Sequence, residues 1–150
     1  MALKCTNCLI FEKSFKHTSL FKHLLHSYFG KKTKEYFHFG SRRYNVIHCQ
    51  LRNSASNLNA DLYHHSLLDT PECTNCIDSV ENAYHYFFVC PKYTYHRNTL
   101  LQAIQDITNG YDQQPSLELL LYGSPSHGLK INIKIFEAVQ AFIAATKRFV

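Results

Sequence analysis

Apolar residues recur every three or four positions along most of the chain, which is the spacing of one face of an α-helix. The longest such pattern covers residues 129–149. Its apolar face consists of Ile131, Ile135, Val139, Phe142 and Thr146, widened by Phe136 and Ile143. No segment alternates apolar and polar residues for long, as a half-buried strand would. The pattern therefore predicts a mainly α-helical fold.

Shorter helical patterns precede the C-terminal one. They cover residues 41–52, residues 58–68, a stretch from a cap at Asp78 or Ser79 to Cys90, a stretch from Pro91 to Asn109-Gly110, and the short segment 117–122. The second pattern ends before Pro71, because the residue before a proline avoids the helical region. We therefore expect several short helices packed against one long C-terminal helix.

The chain divides at the basic segment Gly30-Lys31-Lys32-Thr33-Lys34, a composition typical of a linker. A length of 150 residues suits one domain with a small additional module. Eleven Phe and ten Tyr provide enough aromatic side chains for a packed core and argue against a disordered chain. We predict a separate segment at 1–29 and a helical region at 30–150.

The compartment is predicted from the absence of membrane and secretory patterns. No apolar run is long enough to span a bilayer, and residues 1–10 lack the layout of a secretory signal. We expect an intracellular protein, in the nucleus or cytoplasm, with no membrane partner. In such a reducing compartment Cys-x2-Cys pairs bind metal more often than they form disulfides, which bears on the six cysteines.

Charge is unevenly distributed along the chain. Residues 1–52 carry ten Lys or Arg against two acids, a net charge of +8, whereas residues 53–150 carry six against nine, a net charge of −3. A basic region of this kind favours a polyanionic partner, RNA or DNA. The candidate contacts are the basic residues interleaved with aromatics, Lys31, Lys32, Lys34, Arg42, Arg43 and Arg52. The alternative is a solvated basic face over an aromatic core.

The strongest chemical pattern is Cys73-x2-Cys76-x8-His85-x4-Cys90. Three thiolates and one imidazole complete a tetrahedral shell for Zn²⁺, and a shell without an open position is structural, not catalytic. His85 and Cys90 can face the Cys-x2-Cys turn only if the helix loosens near Pro91. Glu81 is the candidate hydrogen-bond partner of the imidazole. The alternative is that the cysteines are free thiols and His85 is a surface residue.

A second Cys/His set lies at the N-terminus. Cys5, Cys8, His23 and His26 resemble a Cys2His2 zinc finger, although the gaps are fourteen and two residues where such a finger has about twelve and three to five. This set predicts a second zinc site. The alternative is an unstructured start of the chain.

Several segments in order resemble the region near the C-terminal end of non-LTR (LINE-type) retrotransposon reverse transcriptases. The matching segments are 40–53, 56–63, 69–73, 85–91, Arg97 and 131–149. Ile77 departs from the family pattern, which often has Gly after the second cysteine. The resemblance implies a zinc element that helps to engage template RNA or target DNA.

The polymerase itself is absent, since no aspartate pair for two catalytic metals is found. A thiol hydrolase using Cys49 and His48 is a weak alternative, because adjacent residues point to different faces of a helix. We therefore predict a non-catalytic, zinc-stabilised nucleic-acid-binding module that is at best weakly sequence-specific. The alternative is a non-functional remnant of a truncated reading frame, with apolar faces exposed on 40–68 or 129–149.

Overall fold

The computed structural model describes residues 35–112 and 114–149. These residues belong to a compact unit that begins at Glu35. Several predictions lie outside the described residues: the metal ligands Cys5, Cys8, His23 and His26, and the nucleic-acid contacts Lys31, Lys32 and Lys34. Those sites stay predictions.

The described region is mainly helical, as the apolar spacing predicts. A 3-10 helix, Glu35–His38, leads to α1 (Arg42–Arg52) and α2 (Asn59–His64). A π-helix (His85–Val89) and a 3-10 turn (Pro91–Tyr93) then run into α3 (Thr94–Ile107). The chain continues through α4 (Leu117–Tyr122) and α5 (Leu129–Thr146). The only bridge among the described residues pairs Glu72 with Val80 in antiparallel orientation.

Helix α5 is the centre of the core. It packs against α3, α1, α4 and the first 3-10 helix. Its buried apolar side chains are Ile135, Phe136, Val139, Phe142 and Ile143. Phe136 stacks on Phe37 with the ring centroids 5.6 Å apart, and Phe142 stacks on Phe87 at 5.4 Å. The predicted apolar face of the last helix is therefore confirmed. This face packs against Phe37 near the start of the described region and against Phe87 near its middle.

The helix predicted over 58–68 is shorter than its apolar spacing suggests. Helix α2 ends at His64, Ser66 adopts a positive φ of 56°, and the side chain of Leu67 is 71% exposed. The amide of Leu67 donates to the carbonyl of Leu62, which closes the turn. Because the chain reverses here, the spacing of Leu67 and Leu68 no longer places them on an inner face.

The prediction that Arg52 contacts nucleic acid is wrong, because its side chain is buried, with 5% exposure. Its guanidinium donates to the carbonyl of Leu121 at 3.3 Å and lies 4.3 Å from the centroid of the Phe37 ring. His48 donates to the carbonyl of Leu120 at 2.8 Å. The last carbonyls of a helix lack partners within it. Side chains from α1 supply those partners for the short helix α4.

No helix within 35–112 or 114–149 is long and apolar enough to cross a membrane.

Candidate metal centre

A short hairpin holds the first two cysteines. The bridge between Glu72 and Val80 brings its arms together, and the amide of Cys73 donates to the carbonyl of Ser79 at 2.7 Å. The amide of Cys76 donates to the carbonyl of Cys73 at 3.3 Å, which closes the Cys-x2-Cys turn. Both thiols are thus fixed by backbone hydrogen bonds. Because Val80 belongs to this hairpin, the helix that the sequence places from 79 begins later, at Ala83.

The other two ligands are presented by the π-helix. The side chain of Asn82 accepts a hydrogen bond from the amide of His85 at 2.8 Å, and the amide of Cys90 donates to the carbonyl of His85 at 2.8 Å. In an α-helix, residues five apart differ by about 140° around the axis. The i to i+5 hydrogen bond of a π-helix instead brings them to the same side. This wider turn provides the loosening before Pro91 that the ligand spacing requires.

The four side chains meet in one cluster that can hold a metal ion. The ligand atoms of Cys73, Cys76, His85 and Cys90 all lie within 4.8 Å of one another. The Sγ of Cys90 is 3.9 Å from that of Cys73 and 3.8 Å from that of Cys76. A tetrahedron with metal–sulfur bonds of about 2.3 Å separates its sulfurs by about 3.8 Å. These two sulfur–sulfur distances therefore fit a tetrahedral metal site.

The imidazole supplies an independent test of this fit. The Nε2 atom of His85 is buried and has no hydrogen-bond partner among the described residues. Buried polar atoms are nearly always partnered, so an orphan of this kind needs an explanation. Because the imidazole of His85 belongs to the four-ligand cluster, a metal ion is a partner that fits this atom.

Burial and neighbouring side chains shift the pKa values of the cluster. Burial, together with the thiols of Cys90 and Cys73, raises the pKa of Cys76, and burial raises the pKa of Cys90. Burial lowers the pKa of His85, against the attraction of Glu81, so the imidazole is neutral as a ligand must be. The thiols of Cys76 and Cys90 therefore ionise less readily than exposed thiols do. A divalent cation among them would favour the thiolates.

Arg97 supports the end of the π-helix. Its side chain is buried, and its Nε donates to the carbonyl of Phe87 at 2.7 Å while a terminal nitrogen donates to the carbonyl of Cys90 at 2.5 Å. The guanidinium therefore fixes the backbone at the fourth ligand. From the sequence, Arg97 was identified only as part of the family resemblance. A signal for its burial was present, because Arg97 shares the apolar spacing of Leu100 and Ile104 on α3.

Glu81, expected to orient His85, forms its hydrogen bonds elsewhere. Its two oxygens accept from Arg148 at 2.9 and 2.6 Å, and one also accepts from the amide of Asn59 at 3.0 Å. Burial alone would raise the pKa of Glu81, but these hydrogen bonds lower it overall. The carboxylate thus joins the hairpin to the C-terminal end of the described chain. A partner 67 residues away could not be identified from local sequence.

The remaining predicted contacts lie on α1. Arg42 and Arg43 are exposed in its first turn, and the guanidinium of Arg43 lies 5.9 Å from the centroid of the Tyr44 ring. That turn contains no acidic residue, and the side chain of Ser41 makes no capping hydrogen bond. The two arginines therefore remain available to an anion.

No protein-family model matches the chain, and no curated protein or solved structure matches it either. The similarity to retrotransposon reverse transcriptases therefore stays a prediction from the residues quoted above.

Proposed function

We propose that the chain is a non-catalytic module in which a structural zinc centre stabilises a small helical domain that binds RNA or DNA. The observation that carries the proposal is the Cys73, Cys76, His85 and Cys90 cluster, with its tetrahedral sulfur spacing and the buried, unpartnered Nε2 of His85. Thiolate and imidazole ligands in a tetrahedral arrangement favour Zn²⁺. Four protein ligands leave no coordination position for a substrate, which supports a structural role.

The nucleic-acid part of the proposal depends on charge. Residues 1–52 have a net charge of +8, and Arg42 and Arg43 present two exposed guanidinium groups at the start of α1. The amides of a first helical turn together with basic side chains suit a phosphate group. Tyr44, beside Arg43, adds an aromatic ring for base stacking. Because Arg52 is buried, Arg42 and Arg43 are the predicted nucleic-acid contacts that remain exposed among the described residues.

A retroelement remnant without function is the second candidate, and it predicts apolar faces left open by the lost polymerase. The apolar face of α5 is covered, with Ile135 and Val139 fully buried. Within 40–68 the large exposed apolar side chains are Tyr63, Leu67 and Leu68. The closed core supports a domain that folds independently. The origin in a retrotransposon is a proposal that depends on the resemblance alone.

The zinc content of purified protein tests the metal proposal. The parent should bind at least one equivalent, and Cys73→Ser should lose one. If the N-terminal set also binds zinc, the parent should bind two equivalents, and Cys5→Ser should lose one of them. A parent protein that binds no zinc would rule out the structural centre.

A fluorescence titration with labelled RNA and DNA oligonucleotides tests the nucleic-acid part of the proposal. Binding should weaken steeply with salt, and the double variant Arg42→Ala/Arg43→Ala should reduce the slope of log K against log salt by about two. Lys130→Ala/Lys134→Ala removes the same charge from exposed positions on α5 and is the matched control. No binding at low salt would exclude the nucleic-acid role.

A further inference from the structure

The segment that contains the metal centre is acidic. Residues 53–91 contain no Lys or Arg and five carboxylates. Glu81 is neutralised by Arg148, whereas Asp69, Glu72 and Asp78 are exposed. This charge is opposite to that of residues 1–52. A phosphate backbone would be repelled here, because nucleic-acid affinity depends on neutralising phosphates with Lys and Arg.

The same segment exposes large apolar side chains beside the metal ligands. Ile77 follows Cys76 and is 90% exposed, Tyr84 precedes His85 and is 58% exposed, and Val89 precedes Cys90 and is 49% exposed. Because the ligand atoms lie within 4.8 Å of one another, each of these three residues is bonded to a residue of the same small centre. Val80, also exposed, extends the group along the hairpin.

Ordinary surfaces scatter such residues singly, whereas a clustered apolar patch marks an interaction site. The hairpin that carries Ile77 and Val80 also carries two exposed carboxylates, Glu72 on the bridge and Asp78 in the turn. We name these six residues the rim: Glu72, Ile77, Asp78, Val80, Tyr84 and Val89. None of the charged side chains in the rim is positive.

We propose that the rim binds a segment of another protein that is both apolar and basic, such as an amphipathic helix with Leu and Lys on its contact face. Apolar side chains of that helix would cover Ile77, Tyr84 and Val89, and its cations would meet Glu72 and Asp78. This partner is separate from the nucleic acid proposed for Arg42 and Arg43. The zinc centre then presents a protein-binding surface as well as stabilising the fold.

The test measures the fluorescence anisotropy of a labelled synthetic amphipathic helix of Leu and Lys with the zinc-loaded protein. The lysine peptide should bind at least about tenfold more tightly than a peptide of the same pattern with Glu for Lys. Ile77→Ser/Tyr84→Ser should weaken binding of the lysine peptide by about tenfold. Tyr95→Ser/Tyr111→Ser is the matched control, since both tyrosines are largely exposed and lie outside the rim.

Equal binding of the two peptides, or no effect of the rim variant, would overturn the proposal. So would a single-stranded oligonucleotide whose binding is lost in Ile77→Ser/Tyr84→Ser, because the rim would then be a nucleic-acid surface. The zinc content of each protein separates a failure of the rim from a failure of the metal centre. If the rim variant retains zinc and still binds the lysine peptide as the parent does, the rim proposal is refuted and the metal proposal is unaffected.

Discussion

The metal-binding segment and the helical core are held together by different means. The knuckle, residues 71–90, is shaped by a hairpin, a π-helix and four ligands, and its outer side chains remain exposed. The core around α5 is shaped by apolar side chains that meet on one helix face. Tyr86 and Phe87 belong to both, since they lie in the knuckle but pack against Phe142. The comparison indicates that the inner half of the knuckle is held by packing, whereas the outer half contains the cluster that can hold a metal ion.

Metal removal should have the largest effect and should divide the molecule along this boundary. Binding of zinc in such a unit is worth on the order of 10 kcal/mol of folding free energy. After treatment with EDTA, hydrogen exchange should become fast at the amides of Cys73, Cys76 and Glu81, while amides in α5 stay protected. Re-addition of zinc serves as the control. Uniform loss of protection would show one cooperative unit and contradict the division.

A cavity in the core should have the opposite effect to metal removal: the helical core should lose stability while the metal centre keeps its zinc. Ile135 is fully buried on α5, and truncation of such a residue costs about 2–5 kcal/mol. Ile135→Ala should lower the free energy of unfolding in urea by this amount while the folded protein retains its zinc. Leu129→Ala, on an exposed position of the same helix, should change it far less. Equal effects of the two variants would contradict the role assigned to α5.

Arg97 tests the link between the two regions, because it extends from α3 to the carbonyls of Phe87 and Cys90. Substitutions next to a metal ligand commonly reduce affinity by about 10–100-fold. Arg97→Met should lower zinc affinity to that extent in a chelator competition, and Arg97→Lys should recover little, since one ammonium group does not reproduce the planar fork. Arg52→Met removes another buried, carbonyl-bonded arginine and should leave zinc affinity unchanged. Affinity equal to that of the parent in both Arg97 variants would refute the link.

The smallest expected effect is on the stability of the fold at acidic pH. Burial and the charge of Arg52 hold the pKa of His48 well below its usual value, despite the hydrogen bond to Leu120. His48 is therefore neutral in the folded protein and gains a proton on unfolding. Its contribution to stability is complete above the unfolded pKa of about 6.5 and falls by up to about 1.4 kcal/mol per pH unit below it.

With zinc in excess, the free energy of unfolding of His48→Gln should depend less on pH between about 6.5 and 5 than that of the parent. Glutamine can still donate to the carbonyl of Leu120, which makes it the appropriate substitution. His64→Gln, at an exposed position, is the control. Identical pH profiles for the parent and His48→Gln would exclude His48 as the source of acid sensitivity.

Sequence patterns predicted the core and the Cys73, Cys76, His85 and Cys90 cluster well because both depend on local spacing. The period of α5 gives its buried face directly, and the spacing from Cys73 to Cys90 identifies the cluster. The end of α2 could not be predicted in this way, since a repeat in apolar residues does not reveal where the chain reverses. Leu67 continues the pattern but lies after the closing turn.

The partners of buried charged side chains also could not be predicted from the sequence. Arg52 was predicted to contact nucleic acid as one of the basic residues interleaved with aromatics, but the carbonyl of Leu121, 69 residues later, accepts a hydrogen bond from its guanidinium. The pair of Glu81 with Arg148 has the same origin, a polar partner 67 residues away. Such partners exist only once the helices have packed, so local composition carries no signal for them.

The π-helix has a consequence for how this chain can change by insertion and deletion. Loss of one residue from 86–89 would keep all four ligands and leave the imidazole and the last thiol four residues apart, a spacing that an ordinary α-helix brings to one face. Substitution at the exposed Val89 also leaves the ligand spacing intact. Natural variants of this segment should therefore have either four residues between the two ligands with a π-helix, or three with an α-helix.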